Sequence, residues 1–145
     1  MTSGLIACVA ALAVAAVLGV AWRRNNGKMR EPADSRLTGS SSAKPQITVS
    51  ELGQPLGSRA TLVQFSSAFC APCRATRRVL AEVAGMTDGI AYVEIDAESR
   101  LDLVRHLDVR RTPTVFVLGP DGRIAKRASG QPRKADVIAA LGTVT

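Results

Sequence analysis

The sequence predicts an α/β domain, a central mixed sheet flanked by helices, preceded by one transmembrane helix. Three observations carry this expectation. An apolar run at 60–65 leads, after a short polar break, into two cysteines three positions apart that open a helical pattern. Strand-like and helix-like segments then alternate in the order β-α-β-α-β-β-α. A strand–helix–strand start implies parallel neighbours, and a closing hairpin implies an antiparallel edge. Finally, residues 4–21 carry no charge and are rich in Ala, Val and Leu.

At ~1.5 Å per residue the uncharged stretch 4–21 reaches about 27 Å, enough to cross a bilayer core. Trp22 stands where an interfacial anchor would, which sets the expected span at 4–22. Arg23, Arg24, Lys28 and Arg30 follow at once, so the positive-inside rule places the rest of the chain on the cytoplasmic side of the cell membrane in a single-pass arrangement. An extracytoplasmic domain is the alternative. Met1-Thr2-Ser3 lacks the basic n-region of a secretory signal, so cleavage after Ala21 ranks second. Leu5-Ile6-Ala7-Cys8 imitates a lipoprotein acylation box, but the apolar core follows the cysteine instead of preceding it. Cys8 therefore reads as a small hydrophobe within the span. Residues 23–46 mix Gly, Ser, Pro, Asn and charges without apolar periodicity and read as a flexible basic, Ser-rich linker.

From residue 47 to 145 the composition is that of a folded domain. Residues 47–52 suit either an edge strand or a short helix. The run 60–65 is the central strand. In the helix after it, Ala75, Val79, Leu80, Val83 and Ala84 fall at helical spacing, and Gly85 is a stop signal. Residues 90–95 are short, β-branched and bounded by Gly89 and Asp96, which marks a strand. Residues 98–107 form the next helix, with Leu101, Val104 and either His106 or Leu107 as its apolar stripe. Strand 114–118, the turn Gly119-Pro120-Asp121-Gly122 and a returning strand 123–128 make the hairpin. Pro132 opens a last helix carrying Val137, Ile138 and Leu141. No internal repeat is present.

The net charge is +7, but its distribution matters more than its size. Six Lys/Arg stand against two acids in residues 1–46, and thirteen against ten in 47–145, so the folded part is only mildly basic. No basic block is interleaved with aromatics, which argues against nucleic-acid binding. Aromatics make up 3% of the chain, so the core must be aliphatic.

Cys70 and Cys73 carry the chemistry. Cys70 falls near a helix N-cap, where free backbone N–H groups and the positive end of the helix dipole favour a thiolate. Cys73, nearly one turn on, lies on the same side and near enough to close a disulfide. Pro72 sits in the first turn, where its missing N–H costs little. Any of Arg74, Arg77 and Arg78 near the thiols would add to the effect. Half a zinc site is the competing reading, but zinc usually takes four Cys or His ligands and only Cys8 and His106 remain. No metal is expected, and CxxC in a βαβ setting is a redox signature. His106 reads as a surface or core histidine, and Glu94 and Asp96 as capping or solvated acids.

From about residue 47 to 145 the chain resembles the thioredoxin family. The motifs are Phe69 before Cys70-Ala71-Pro72-Cys73, Ile95-Asp96 on a later strand, Thr112-Pro113-Thr114 before a hydrophobic strand, and a hairpin leading to Gly130. The resemblance implies a thioredoxin fold and a thiol–disulfide oxidoreductase that needs no cofactor beyond its own dithiol. Cys70 would attack a protein disulfide, and Cys73 would resolve the mixed species. Pro113 would be a cis-proline beside the disulfide. Thr112 would offer backbone hydrogen bonds to the bound peptide, and Phe69, Ala71 and Pro72 would complete the substrate surface. The implied partners are protein disulfides or dithiols and an unidentified electron donor, with the membrane reached through the N-terminal helix and the protein a monomer. The Ala-Pro insert is similar to the Gly-Pro of reducing thioredoxins, so reduction is the expected direction. The family's buried acid, six positions before the first cysteine, is Gln64 here, and its usual lysine falls at Tyr92. A non-catalytic adaptor and a thiol carrier of copper are the alternatives.

Overall fold

The computed structural model describes residues 2–31 and 45–144. Among these residues the elements follow in the order α1 (Thr2–Asn25), α2 (Val49–Leu52), β1 (Ala60–Ser66), α3 (Ala71–Gly85), β2 (Ile90–Asp96), α4 (Leu101–His106), β3 (Thr114–Leu118), β4 (Ile124–Ser129) and α5 (Lys134–Leu141). The sheet runs β2-β1-β3-β4. β1 pairs parallel with β2, with Gln64 opposite Glu94, and antiparallel with β3. β4 returns antiparallel to β3 across the predicted hairpin. The fold is the mixed, helix-covered sheet expected from the sequence.

β1 is buried along its whole length because both of its edges are paired and both of its faces are covered. Side chains alternate across a strand. Val63 and Phe65 accordingly join one cluster with Ile47, Val93, Leu103, Leu107 and Phe116, while Ala60 and Leu62 join another with Leu80, Val83, Val117, Val137 and Leu141. α2 and α4 cover the first face; α3 and α5 cover the second. Phe65 and Phe116 meet edge to face with ring centroids 5.8 Å apart, a favourable quadrupolar arrangement.

The open choice at 47–52 resolves to helix. Thr48 is the N-cap, accepting from Glu51 N–H, while the Glu51 carboxylate takes the Thr48 N–H at 2.7 Å. This reciprocal box satisfies two amides that a strand there would leave to other partners. α4 is shorter than the expected 98–107. The Asp96 side chain accepts from Glu98 N–H at 3.0 Å and Ser99 Oγ donates to Asp96 O at 3.0 Å, so a side-chain-stabilised turn takes up the first residues. Its buried residue is Leu103, with Leu107 just beyond, and Leu101 is exposed. In α5, Ala140 takes the inward place expected for Ile138, which is exposed.

α1 buries none of its apolar span, Ile6–Asn25, against the rest of the protein. Trp22, at its end, is 67% exposed. By length and composition this helix is sufficient to cross a membrane. Residues 23–25, expected to open the linker, continue the helix, and residues 26–31 run along β4. Gly27 N–H donates to Ser129 O at 3.0 Å, and Arg30 and Arg127 exchange both backbone hydrogen bonds at 2.7 Å. These bonds satisfy edge groups of β4 that would otherwise face solvent. Gly27 has φ +77°, and a Cβ there would run into Gln131 O, so this turn requires glycine. Of the rest of the expected linker, residues 32–44 lie outside the described residues, while Pro45 O accepts from Ile124 N–H at 2.9 Å and Gln46 bridges Arg123.

Candidate active site

β1 delivers the chain to the site, and α3 carries it away. Cys70 is the N-cap residue of α3, in extended backbone, with Pro72 in the first turn. It is bonded to Cys73 in a disulfide with Cα atoms 5.2 Å apart. The Cys73 N–H donates to Cys70 Sγ at 3.2 Å, so one of the helix's first, otherwise unpaired amides points at that sulfur. The two cysteines differ in environment. Cys73, in the first turn of α3, is 2% exposed, Cys70 is partly exposed, and Phe69 beside it is 99% exposed.

A second loop meets the first. The Thr112–Pro113 peptide is cis. Ser67 Oγ and Thr112 Oγ1 share a hydrogen bond of 3.0 Å, which ties the Pro113 loop to the segment leading into Cys70. Thr114 Oγ1 donates to Arg111 O at 2.7 Å, and Gly130 N–H donates to Pro113 O at 2.7 Å, fixing the loop at both ends. The structure thus gathers Phe69, Cys70, Ala71, Pro72, Cys73, Thr112 and Pro113 at one end of the sheet. It leaves His106 outside. That residue is exposed on α4, which packs on the opposite face of the sheet from α3. Cys8 is an exposed free cysteine on α1. Asp96 anchors the turn before α4. Among the described residues no three His, Cys, Asp or Glu side chains stand together as a metal group.

Behind the disulfide lies a polar chain that sequence reasoning registered only as departures from a pattern. Gln64 is completely buried. Its Nε2 donates to Cys73 O at 3.0 Å, and its Oε1 accepts from the Tyr92 hydroxyl at 3.1 Å. Burial pushes Tyr92 up to about 12, and the Glu94 charge adds to this against the opposing Arg77. The phenol therefore stays protonated and donates. Arg77 grips Glu94 with two short contacts, 2.6 and 2.7 Å. The signal that could have located this chain is parity. In the parallel register Leu62 opposes Tyr92 and Gln64 opposes Glu94, so all four side chains share the α3 face. Arg77, weighed from the sequence as a neighbour of the thiols, is engaged by Glu94.

Glu94 gives a pH prediction. Burial by itself raises its pKa, but hydrogen bonds from Arg77 and Ser66, with the Arg77 charge, outweigh that and leave it below the ordinary glutamate value. A depressed folded pKa means the unfolded chain binds the proton more readily. The stabilisation is therefore complete above the unfolded value of 4.5 and is lost as pH falls through the folded one. Glu94→Gln is expected to flatten the acid limb of the stability curve, read as urea midpoints at neutral pH and below that value. An unchanged limb contradicts the assignment.

Comparison with known proteins agrees with this geometry. The family profile described as Thioredoxin matches residues 46–143. Thioredoxin H4-1 of Oryza sativa subsp. japonica is 31% identical over 81 residues, covering 55% of this chain and 62% of its own. Thioredoxin-2 of Pyricularia oryzae is 38% identical over 78 residues, covering 53% and 45% respectively. The chain thus spans about half to two thirds of the length of these relatives. A mutant thioredoxin from Halobacterium salinarum superposes with a TM-score of 0.58 at 21% identity, over 74% of this chain and 96% of that one, and shows the shared fold. With the family profile covering residues 46–143, more than half of the sequence, the chain belongs to the thioredoxin family.

Proposed function

We propose that the protein is a membrane-anchored thiol–disulfide oxidoreductase that reduces protein disulfides through Cys70 and Cys73. The observation that carries this is the unequal pair at the start of α3, one sulfur partly open to solvent and the other enclosed. In the reduced protein, the Cys70 thiolate attacks one sulfur of a substrate disulfide. A mixed disulfide forms, and the other substrate sulfur leaves as a thiolate. Cys73 then attacks Cys70 Sγ, and the second substrate thiolate departs. Two electrons have passed to the substrate, and the 70–73 disulfide has formed. A dithiol donor must return the pair to its reduced state.

The N-cap position supports the nucleophile assignment, because helix N-terminal amides stabilise a thiolate. The exposed Phe69, the adjacent Ala71 and Pro72, and the linked Thr112-Pro113 loop supply the surface for an extended substrate segment. The uncovered apolar face of α1 supports single-pass anchoring, and the cluster Arg23, Arg24, Lys28 and Arg30 after it favours a cytoplasmic domain. The reductive direction and a monomeric state complete the proposal. With excess dithiothreitol as donor, the full chain in detergent is expected to accelerate insulin reduction, read as turbidity. A rate equal to dithiothreitol alone overturns it.

A further inference from the structure

At the foot of α1 a cavity of about 400 Å³ opens beside the 26–31 segment, away from the disulfide. Four cations line it: Arg24, Lys28, Lys126 and Arg133. They come from four places: the last turn of α1, the segment after it, β4 and the N-cap of α5. Lys126 pairs with Glu31 at 3.2 Å. Among the described residues, Arg24, Lys28 and Arg133 have no ion-pair partner within 4.0 Å. Among the described residues Asp136 is the one acid in the lining. Arg133 also leaves the first amides of α5 without a side-chain cap, and uncapped amides at a helix start favour anions.

Like charges gathered around a cavity repel, and this arrangement is relieved by an anion bound among them. A stop-transfer signal requires only Arg23 and Arg24 after the apolar span; it does not require Lys126 and Arg133, a hundred residues later, to converge on the same space. Arg24 lies in the last turn of α1, within ~5.4 Å of its end along the axis. With α1 in a bilayer, the cavity stands at the level of the lipid headgroups.

We propose that this cavity binds a phosphate-bearing anion, the headgroup of an anionic phospholipid, and so fixes the domain's orientation at the membrane. The inference rests on the anchoring part of the proposed function and is independent of the thiol chemistry. The test uses the full chain in phosphatidylcholine nanodiscs, with labelled methionine methyls, because Met29 lines the cavity. Phosphatidylglycerol in the discs is expected to shift the Met29 methyl resonance saturably. Lys28→Gln/Arg133→Gln is expected to weaken the response roughly tenfold or more, and Asp136→Asn to strengthen it. Inorganic phosphate added to phosphatidylcholine discs distinguishes the source: a response to it alone overturns the lipid assignment in favour of soluble phosphate. No Met29 response to either, or an equal response in the double variant, overturns the cavity as an anion site. Vesicle flotation and insulin reduction on the same samples report separately on anchoring and on the thiol pair.

Discussion

Cys73→Ser is expected to stop turnover at the mixed disulfide, whereas Cys70→Ser is expected to form no adduct at all. The asymmetry follows from position. Cys70 Sγ is partly open beside the exposed Phe69, and Cys73 is enclosed, so an incoming disulfide reaches Cys70 first. Without Cys73, release depends on thiols from solution. A well-placed intramolecular group acts at an effective molarity of up to ~10⁵ M, so resolution in millimolar thiol should slow by up to about 10⁸-fold. Incubation with insulin, acid quenching and non-reducing mass analysis read the adduct directly. In a Cys8→Ser background, the Cys73→Ser protein should carry covalently bound insulin, and Cys70→Ser none. Adducts on Cys70→Ser but not on Cys73→Ser would reverse the two roles.

Gln64→Ala is expected to destabilise the domain by about 2–4 kcal/mol, the range for emptying a large buried site while stranding polar partners. Gln64 is completely buried and makes one bond on each side, to Cys73 O and from the Tyr92 hydroxyl. Truncation leaves a cavity, an unpartnered carbonyl at Cys73 and a phenol without its acceptor. Gln64→Leu keeps most of the volume and removes only the bonds, so its loss should be smaller, about 1–3 kcal/mol. Denaturant melts of both variants, compared with Tyr92→Phe, separate volume from hydrogen bonding. A Gln64→Ala protein as stable as the parent would show that the chain behind the disulfide bears no weight. Since an amide does not titrate, residue 64 can hold the Cys73 backbone but cannot exchange protons with its thiol.

Much of the fold was legible because local signals agreed. The run at 60–65, the β-branched segment 90–95 and the Gly119-Pro120-Asp121-Gly122 turn each specify one element, and each element formed. The apolar stripe of α4 was less legible. Its start depends on the Asp96 and Ser99 side chains competing for backbone groups; Leu101 is exposed and Leu103 enters the core in its place, beside the expected Val104 and Leu107. In α5 the pattern offered both Val137 and Ile138, and only packing against the sheet could choose Val137 and Ala140.

The site divides in the same way. Cys70 and Cys73 announce themselves by spacing and by their place after a strand. The Ser67–Thr112 hydrogen bond joins residues 45 apart in the chain, and no local pattern encodes it. From the sequence, Gln64 and Tyr92 stand out only as departures from the family pattern, and Glu94 as a capping or solvated acid. They become a connected chain only once the parallel register places them on one face. The pairing of residues 26–31 with β4 was hidden for a different reason. Its bonds are between backbone groups, which composition does not report.

The central claim is that Cys70 and Cys73 form one reversible two-electron couple. The most direct test equilibrates the full chain in dithiothreitol buffers of graded ratio and counts free thiols by alkylation and mass. Beyond the constant Cys8 thiol, the Cys70 and Cys73 thiols are expected to appear together in a single transition that fits a two-electron couple and reverses on reoxidation. Cysteines that titrate separately, or a pair that never reopens, would contradict the account.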